Sequence, residues 1–307
     1  MKIFVTGGAG FIGGSLVNSL LSDGNQVTIY DNLKNSSKSK ITHLLKKGAS
    51  FVKGDITNYK SLLKAISGFD CVVHLAAQLE VQESIRSPEY THNVNVTGTV
   101  NLLRASVSQK VQSVVTASSS AVFGNPQELP LSEKSQTIPI SPYGASKLAA
   151  ESYLQAFSHS YDLNGITLRF FNVYGEGQSR AYAGVITKFM NRIANNKPPV
   201  ISGDGSNTRD FVWIDDVVQS ILKAISKIGG KKGNFYNIAS GKYVTIRDLA
   251  NLMISISGKK LSIDYTAPKK GDILHSQTSI RLAQRDLGYT PRISLKEGLE
   301  RLLKTTS

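Results

Sequence analysis

Cysteine is nearly absent: Cys71 is the only one in 307 residues. A count of one excludes an internal disulfide and a cysteine-rich metal site. Its place in the apolar run Cys71-Val-Val-His-Leu-Ala-Ala77 reads as core, not as a nucleophile. No metal is expected. The sequence also lacks any apolar run near the ~18 residues needed to cross a bilayer, and no signal-peptide pattern precedes the first strand. A soluble, intracellular, cytoplasmic protein with no membrane partner is the expectation. Acidic residues are scarce, 22 against 36 basic ones, for a net charge of +14. Such an excess leaves anionic partners open. The lysines, however, fall in dispersed pairs (Lys46-Lys47, Lys231-Lys232, Lys259-Lys260, Lys269-Lys270), without a basic strip interleaved with base-stacking aromatics. Nucleic acid is not an expected partner. The charge reads as a solvated surface that steers an anionic substrate. No internal repeat is visible. A hydrophobic share of 40% with 19% charged residues is ordinary for a globular chain, and this length holds one large domain or two unequal ones.

What the sequence does have is concentrated at its start. A short apolar stretch, Lys2 to Thr6, runs into Gly7-Gly-Ala-Gly10-Phe-Ile-Gly13. That pattern reads as strand, tight turn and helix start. Gly7 allows the turn, Gly10 allows a pyrophosphate to approach without a Cβ in the way, and Gly13 allows the helix to lie close to the strand. The first helical N–H groups then face the phosphates. Glycines alone would fit an ordinary strand-to-helix turn, but the context adds to them. A helix over Ser15–Leu21 is followed by a second strand, Gln26–Tyr30, ending in Asp31. An acid at that position accepts hydrogen bonds from both hydroxyls of an adenosine ribose and repels a 2′-phosphate, which selects NAD over NADP.

Strands and helices alternate through the first half, which predicts parallel pairing and an α/β, Rossmann-type doubly wound sheet. Further strands are expected at 50–52, 71–75, 113–118 and 167–171, and helices at 61–66, 90–106 and 143–159. Residues 35–40 read as a polar loop, and 125–142 as a long proline-bearing loop of the length that tends to be functional. After Asn172 the character changes: 175–183 is irregular, 184–195 is an amphipathic helix, and Gly203-Asp-Gly205 is a turn. The expected division is a cofactor-binding domain over 1–172, with 211–240 returning to it. A smaller discontinuous α/β substrate domain is expected from 173–210 and 241–307, closing over the carboxyl ends of the strands.

A second constellation is Tyr143-Gly-Ala-Ser-Lys147 after the run Ser118-Ser119-Ser120. Tyrosine and lysine four residues apart share a helix face. For a tyrosine to act as a base at neutral pH, its pKa must fall by about three units, roughly 4 kcal/mol. One cation at ~4 Å in an intermediate dielectric supplies a similar amount. Burial opposes it, so two cations, Lys147 and an oxidised nicotinamide, serve better than one. A serine hydroxyl opposite can share the substrate proton.

With these residues the chain resembles the extended short-chain dehydrogenases/reductases, and within them the nucleotide-sugar 4-epimerases. The resemblance covers nearly the whole chain. It rests on Thr6-Gly-Gly-Ala-Gly-Phe-Ile-Gly13, Asp31-Asn-Leu33, Gly54-Asp-Ile56, His74-Leu-Ala-Ala77, Asn93-Val-Asn95 with Gly98-Thr99, and Ser118-Ser-Ser-Ala-Val-Phe-Gly124. Ser141-Pro-Tyr143, Leu168-Arg-Phe-Phe-Asn-Val-Tyr-Gly175 and Gly203-Asp-Gly205 with Thr208-Arg-Asp-Phe211 complete it.

The resemblance implies that Tyr143 is the base, Lys147 orients it and holds the nicotinamide ribose, and Ser119 is the hydroxyl partner. Ser119 is taken as the serine five residues before Gly124, with Ser118 and Ser120 one step away. It implies NAD as cofactor, bound by Gly7, Gly10, Phe11, Ile12, Gly13, Asp31, Asn32, Asp55, Ile56, Leu75, Ala76, Ala77, Asn95, Ser118, Tyr143, Lys147 and Val173. The implied substrate set is Ser119, Ser120, Tyr143, Asn172, Val185, Ile201, Arg209, Asp272 and Ser276. Within it, Asn172 and Arg209 hold the diphosphate and Asp272 the ribose. Arg209 next to Asp210, and Asp272 after Gly271, also admit plain readings as a surface ion pair and a turn residue. The implied reaction removes the sugar 4-hydroxyl proton to Tyr143 while hydride passes from C4 to NAD. The 4-keto sugar turns over and hydride returns to the other face. The implied substrate is a UDP-sugar, and the implied assembly a homodimer formed through the helices at 90–106 and 143–159.

The same scaffold hosts dehydratases and decarboxylases. Relatives of those kinds carry acids just after the serine, where this chain has Ser120 and Ala121. Eliminating water needs a placed acid and base, and Ala121 is neither. UDP-glucose/UDP-galactose interconversion is the expectation, with UDP-GlcNAc/UDP-GalNAc as a second pair, because Ser276 stands where strict hexose epimerases carry a tyrosine. A glucuronate 4-epimerase or decarboxylase, a 4,6-dehydratase, and a catalytically idle nucleotide-binding regulator are the alternatives. Two departures are Lys269, where the family has arginine, a point charge replacing a fork, and Phe123, where it has tyrosine.

Overall fold

The computed structural model describes residues 1–126, 128–178, 184–268 and 274–304. The first half runs β1 (Lys2–Thr6), α1 (Phe11–Ser22), β2 (Gln26–Asp31), α2 (Lys38–Lys46), β3 (Ser50–Lys53), α3 (Tyr59–Ala65) and β4 (Cys71–His74). Two short helices, α4 (Val81–Arg86) and α5 (Pro88–His92), lead through a π-helical turn at Asn93–Thr97 into α6 (Gly98–Ser108). Then come β5 (Ser113–Ser119), a 3₁₀ turn at Ser120–Phe123, α7 (Pro142–Ser160), β6 (Asn164–Phe170) and β7 (Asn172–Tyr174). The remainder comprises α8 (Val185–Ala194), β8 (Val200–Ser202), β9 (Thr208–Arg209), β10 (Phe211–Trp213), α9 (Ile214–Lys227) and β11 (Lys232–Ile238). It ends with β12 (Val244–Thr245), α10 (Ile246–Ser257), β13 (Asp264–Thr266), α11 (Arg281–Leu287) and α12 (Leu295–Lys304).

Seven strands form one sheet in the order β11-β6-β5-β4-β1-β2-β3, and every pairing in it is parallel. Parallel strands are covered on both faces, and β1 shows it: one exposed residue, then Ile3, Phe4, Val5 and Thr6 all buried. Alternate residues feed opposite layers. Ile3, Val5, Ile29 and Val73 pack into one core; Phe4, Tyr30, Val72 and Val114 pack into the other. Chain order reverses direction between β1 and β4, which opens a crevice at their carboxyl ends. The doubly wound α/β reading of the sequence is therefore correct.

Smaller pairs surround that edge: β7 with β10, β8 with β13, and β9 antiparallel to β12. The long loop after Gly124 is tied to the last third of the chain, since Leu131 N–H donates to the Gln277 carbonyl (2.9 Å) and Ser279 N–H to that of Leu131 (2.8 Å). Three expectations shift. The helix expected over 90–106 is α5 and α6 joined by the π-turn, in which Asn95 is buried. The polar loop at 35–40 ends early, because α2 begins at Lys38 and buries Ile41 and Leu44. Strand β6 starts at Asn164, three residues sooner, continuing its pairing with β5.

Candidate functional site: a dinucleotide cleft and a buried tyrosine–serine pair

The turn after β1 places its residues as the glycine pattern requires. Gly7 has φ +70°, and a Cβ there would lie 2.6 Å from the Ala76 nitrogen, so the backbone of the β4 exit passes directly against the turn. Gly10 precedes α1 without a side-chain cap, leaving first-turn N–H groups of Phe11 and Ile12 open to an anion. Gly13 is buried in that turn.

Asp31 ends β2 with both carboxylate oxygens engaged: Oδ2 accepts from Ala9 N–H (3.1 Å) and Oδ1 from Leu33 N–H (2.8 Å). A carboxylate offers about four acceptor sites, so capacity remains for two hydroxyls. Burial raises its pKa, partly offset by those two N–H groups. Beside it, Asn32 donates to Asp55 Oδ2 (2.8 Å), and Asp55 Oδ1 accepts from Thr57 N–H (2.9 Å) and its hydroxyl (2.7 Å). Burial pushes the Asp55 pKa up, but the Thr57 and Asn32 bonds and the Lys34 charge outweigh it and the net shift is downward. Gly7, Gly10, Asp31, Asn32, Asp55, Ile56, Leu75, Ala76 and Ala77 line one cleft. Phe11 lies with Gly10 in an adjoining depression.

Helix α7 carries the second group of site residues. Ser141 Oγ caps it by accepting from Gly144 N–H (3.1 Å), with Pro142 in the first turn. A Cβ on Gly144 would lie 2.6 Å from the Ala121 carbonyl oxygen; the missing side chain lets α7 rest on the Ser120–Phe123 turn. Tyr143 is consequently brought beside Ser119, whose hydroxyl favours the ionised phenol and accepts from Ala121 N–H (3.2 Å). Tyr143 and Lys147 are both buried. Burial raises the Tyr143 pKa, against the lowering effect of Ser119. Burial lowers that of Lys147 to about 8, with Glu151 opposing. The lysine Nζ donates to the Ala117 carbonyl (3.1 Å), which fixes the ammonium at the end of β5. The depression that base chemistry asks of Tyr143 is thus not supplied by the side chains alone. Ser118, one residue before Ser119, has a buried hydroxyl with no hydrogen-bond partner.

Asn172 opens β7 and donates from its side chain to the Asp210 carbonyl (2.9 Å); Val173 follows it in β7. Val185 begins α8 and Ile201 is buried in β8. Arg209 on β9 donates through Nη1 to the carbonyls of Thr208 (2.8 Å) and Leu274 (3.3 Å). Its neighbour Asp210 instead serves Ser240 and Gly241. Ser120 stands in the 3₁₀ turn. Ser276 is buried, its N–H donating to the Thr208 carbonyl (3.1 Å) and its hydroxyl without a partner. Asp272 and Lys269 lie outside the described residues. Phe123, the other departure, is buried with its ring over Arg169 at 5.0 Å.

Contacts that hold this machinery in place join residues far apart in the chain. Ser84 accepts from Tyr143 N–H (3.1 Å) across a gap of fifty-nine positions. Asn95 donates to Ser146 Oγ (2.9 Å), which donates to the Tyr143 carbonyl (2.7 Å). Asn95 is expected at the cofactor from the Asn93-Val-Asn95 run, and Ser146 lies inside the Tyr-x-x-x-Lys run; Ser84 alone has no local signal.

Sheet, glycine turn and strand-end acid together define a Rossmann-type dinucleotide-binding protein. Comparison with known proteins is consistent and more specific. Residues 3–239 match the model of the NAD dependent epimerase/dehydratase family. A putative UDP-glucose 4-epimerase from Methanocaldococcus jannaschii is 37% identical, covering 98% of this chain and 97% of its own. The Thermotoga maritima UDP-glucose 4-epimerase, solved with UDP-glucose, superposes with a TM-score of 0.94 at 33% identity, covering 100% of this chain and 98% of its own. A point variant of the Bacillus cereus UDP-glucuronic acid 4-epimerase, solved with NAD and a fluorinated UDP-glucuronic acid, does so at 0.93 and 30%, covering all of both chains. The chain belongs to the NAD-dependent epimerase/dehydratase family, and NAD is its cofactor. Among the described residues, no helix is long and apolar enough to cross a membrane.

Proposed function

We propose that this protein is a nucleotide-sugar 4-epimerase that interconverts UDP-glucose and UDP-galactose and also accepts UDP-GlcNAc and UDP-GalNAc. The observation that carries the reading is the buried Tyr143 beside Ser119, whose side chain favours the ionised phenol, at a place where the next residues, Ser120 and Ala121, offer no carboxyl group. A ketone can be made and unmade there; an elimination lacks its acid.

The cleft fits NAD on its own chemistry: remaining acceptor capacity on Asp31, uncapped N–H groups at α1, and the partnerless hydroxyl of Ser118. When bound, the nicotinamide supplies a reversible hydride acceptor. Gly7, Gly10, Phe11, Ile12 and Gly13 would hold the pyrophosphate, and Asp31 with Asn32 the adenosine ribose. Asp55 and Ile56 would flank the adenine, and Leu75, Ala76, Ala77, Asn95, Ser118 and Val173 the nicotinamide half. Tyr143 Oη takes the proton of the sugar 4-hydroxyl and later returns it; Ser119 shares it. Lys147, held by the Ala117 carbonyl, keeps a positive charge near the phenol. Asn172, Arg209 and Asp272 would grip the nucleotide, Val185 and Ile201 its base, and Ser276 would leave space at C2. Residues 1–172 with 211–240 act as the cofactor domain and 173–210 with 241–307 as the substrate domain. Two subunits would pair through α6 and α7.

The test is conversion of UDP-galactose, then UDP-GalNAc, by purified protein without added cofactor, followed by NMR or chromatography. Appearance of the gluco epimers supports the reading. No turnover of either, even with added NAD, overturns the UDP-hexose assignment.

A further inference from the structure

Behind the cleft, five polar groups connect in one row. Ala76 N–H donates to Thr6 Oγ1 (3.3 Å), which meets His74 Nδ1 (2.7 Å). His74 Nε2 meets Thr99 Oγ1 (3.1 Å), which donates to the Asn95 carbonyl (2.6 Å). Thr6, His74, Thr99 and Asn95 are all buried, so no solvent competes for these groups.

Proton counting gives each bond its direction. Thr99 has one hydroxyl proton and gives it to the Asn95 carbonyl, so at His74 it can only accept, and Nε2 must carry hydrogen. Burial, and secondarily the Lys147 charge, holds His74 neutral with its pKa down to about 3. Nδ1 is then bare and accepts from Thr6, whose oxygen accepts from Ala76. The row is polarised end to end, and the second tautomer would break it at Thr99, whose single proton cannot serve both a bare Nε2 and the Asn95 carbonyl.

Both ends lie on working parts. Ala76 lines the cofactor cleft. Asn95 binds the same segment again, accepting from Gln78 N–H (2.7 Å) and donating to its carbonyl (3.0 Å). Its other amide hydrogen goes to Ser146 Oγ (2.9 Å) and onward to the Tyr143 carbonyl (2.7 Å). We propose that His74, locked as its Nε2–H tautomer, is a positioning residue that fixes the cofactor-lining segment Leu75–Gln78 against the helix carrying Tyr143. The inference rests on Tyr143 being the proton acceptor of the epimerase reading. The plain alternative is a histidine that only satisfies buried neighbours.

The experiment uses His74→Gln, Thr99→Val and Thr99→Ser in the full chain. Valine keeps the shape of threonine but strands the Nε2–H; serine keeps the hydroxyl. NAD dissociation constants are measured by calorimetry on protein stripped of cofactor, with kcat and KM for UDP-galactose and Tm alongside. His74→Gln and Thr99→Val are expected to weaken NAD and lower kcat by ~10-fold or more, with KM for the sugar nucleotide within ~2-fold, since sub-ångström misplacement acts on chemistry more than on binding. Thr99→Ser should return both values to within ~3-fold of wild type. If His74→Gln does not fold, Thr99→Val carries the test. A fall in Tm with NAD affinity and kcat at wild-type values would overturn the proposal, as would failure of serine to rescue. Should the wild-type protein turn over no nucleotide sugar, the functional reading falls, while the NAD affinities still decide whether the row positions the cleft.

Discussion

Glu151 and Arg169 meet at two points, Nη2 to Oε2 at 2.7 Å and Nε to Oε1 at 3.0 Å, one helical turn beyond Lys147. Both side chains are almost fully buried, and the guanidinium lies between the rings of Phe123 and Phe235. Its Nη1 donates to the Glu133 carbonyl (3.3 Å) in the long loop. The pair therefore joins α7, β6 and that loop beneath the site. Removing one partner of such a pair costs about 3–5 kcal/mol, because the other charge is left buried alone.

A pH effect follows with a definite sign. Lys147 is held near pH 8 by burial, and the Glu151 carboxylate is what opposes that fall. Its ammonium is lost as pH rises through that value, so activity should decline on the alkaline side. Glu151→Gln deletes the opposing anion, so the alkaline limb of kcat/KM should move to lower pH. Because Glu151→Gln alone strands Arg169, the double variant Glu151→Gln/Arg169→Met serves as the folded control. A limb that stays put, or moves to higher pH, would contradict the assignment of Lys147 as the titrating cation.

Tyr143→Phe removes the proton acceptor and leaves the ring. Loss of ~10²–10⁴-fold in kcat is expected from deleting a general acid–base group, with NAD still bound. Ser119→Ala should lose less than Tyr143→Phe and shift the acidic limb upward, because the Ser119 hydroxyl lowers the phenol pKa. An unchanged acidic limb in Ser119→Ala would separate the serine from the proton path.

Gly144→Ala tests the close approach of α7 to the Ser120–Phe123 turn. The added methyl would stand 2.6 Å from the Ala121 carbonyl oxygen, so helix or turn must retreat. Overpacking of this kind costs ~1–3 kcal/mol. The displacement separates Tyr143 from Ser119, so kcat should fall by more than the loss of folded protein accounts for. Calorimetric Tm and single-turnover rates together check this.

Ser276→Tyr should abolish turnover of UDP-GalNAc while sparing UDP-galactose, a change in the kcat/KM ratio of ~10-fold or more from filling space in a pocket. Loss of both activities in parallel would mean that Ser276 does not border the sugar.

Short-range features were legible because one stretch of chain carries each of them. The glycine turn, Asp31 at the end of β2, and Tyr143 with Lys147 on one helix face all depend on residues a few positions apart. Parallel strands were visible as apolar runs for the same reason. The rest depended on distant partners. His74 finds Thr6 sixty-eight positions away, and Arg169 finds Glu151 eighteen away. Helices α9 to α12 left no clear signature beside the turn-rich substrate segments, although α9 packs on the sheet with a strongly one-sided buried face. The spacing of apolar residues over 90–106 reads as unbroken helix. Its π-turn follows from Asn95 turning inward to Gln78, which no local pattern announces.

That π-turn also sets a phase. An α-helix advances ~100° per residue, and the wider turn at Asn93–Thr97 inserts one residue between α5 and α6. Everything after it is rotated accordingly: Asn101 reaches the carbonyls of Ile56 (3.2 Å) and Thr57 (3.1 Å), and Leu102 and Leu103 enter the core. Deleting a single residue from this stretch would leave the composition of both helices nearly intact, yet would swing Asn101 and the leucines a quarter-circle off their partners. The joint therefore works as a spacer ring whose thickness, and not its material, aligns the nucleotide wall with the catalytic one.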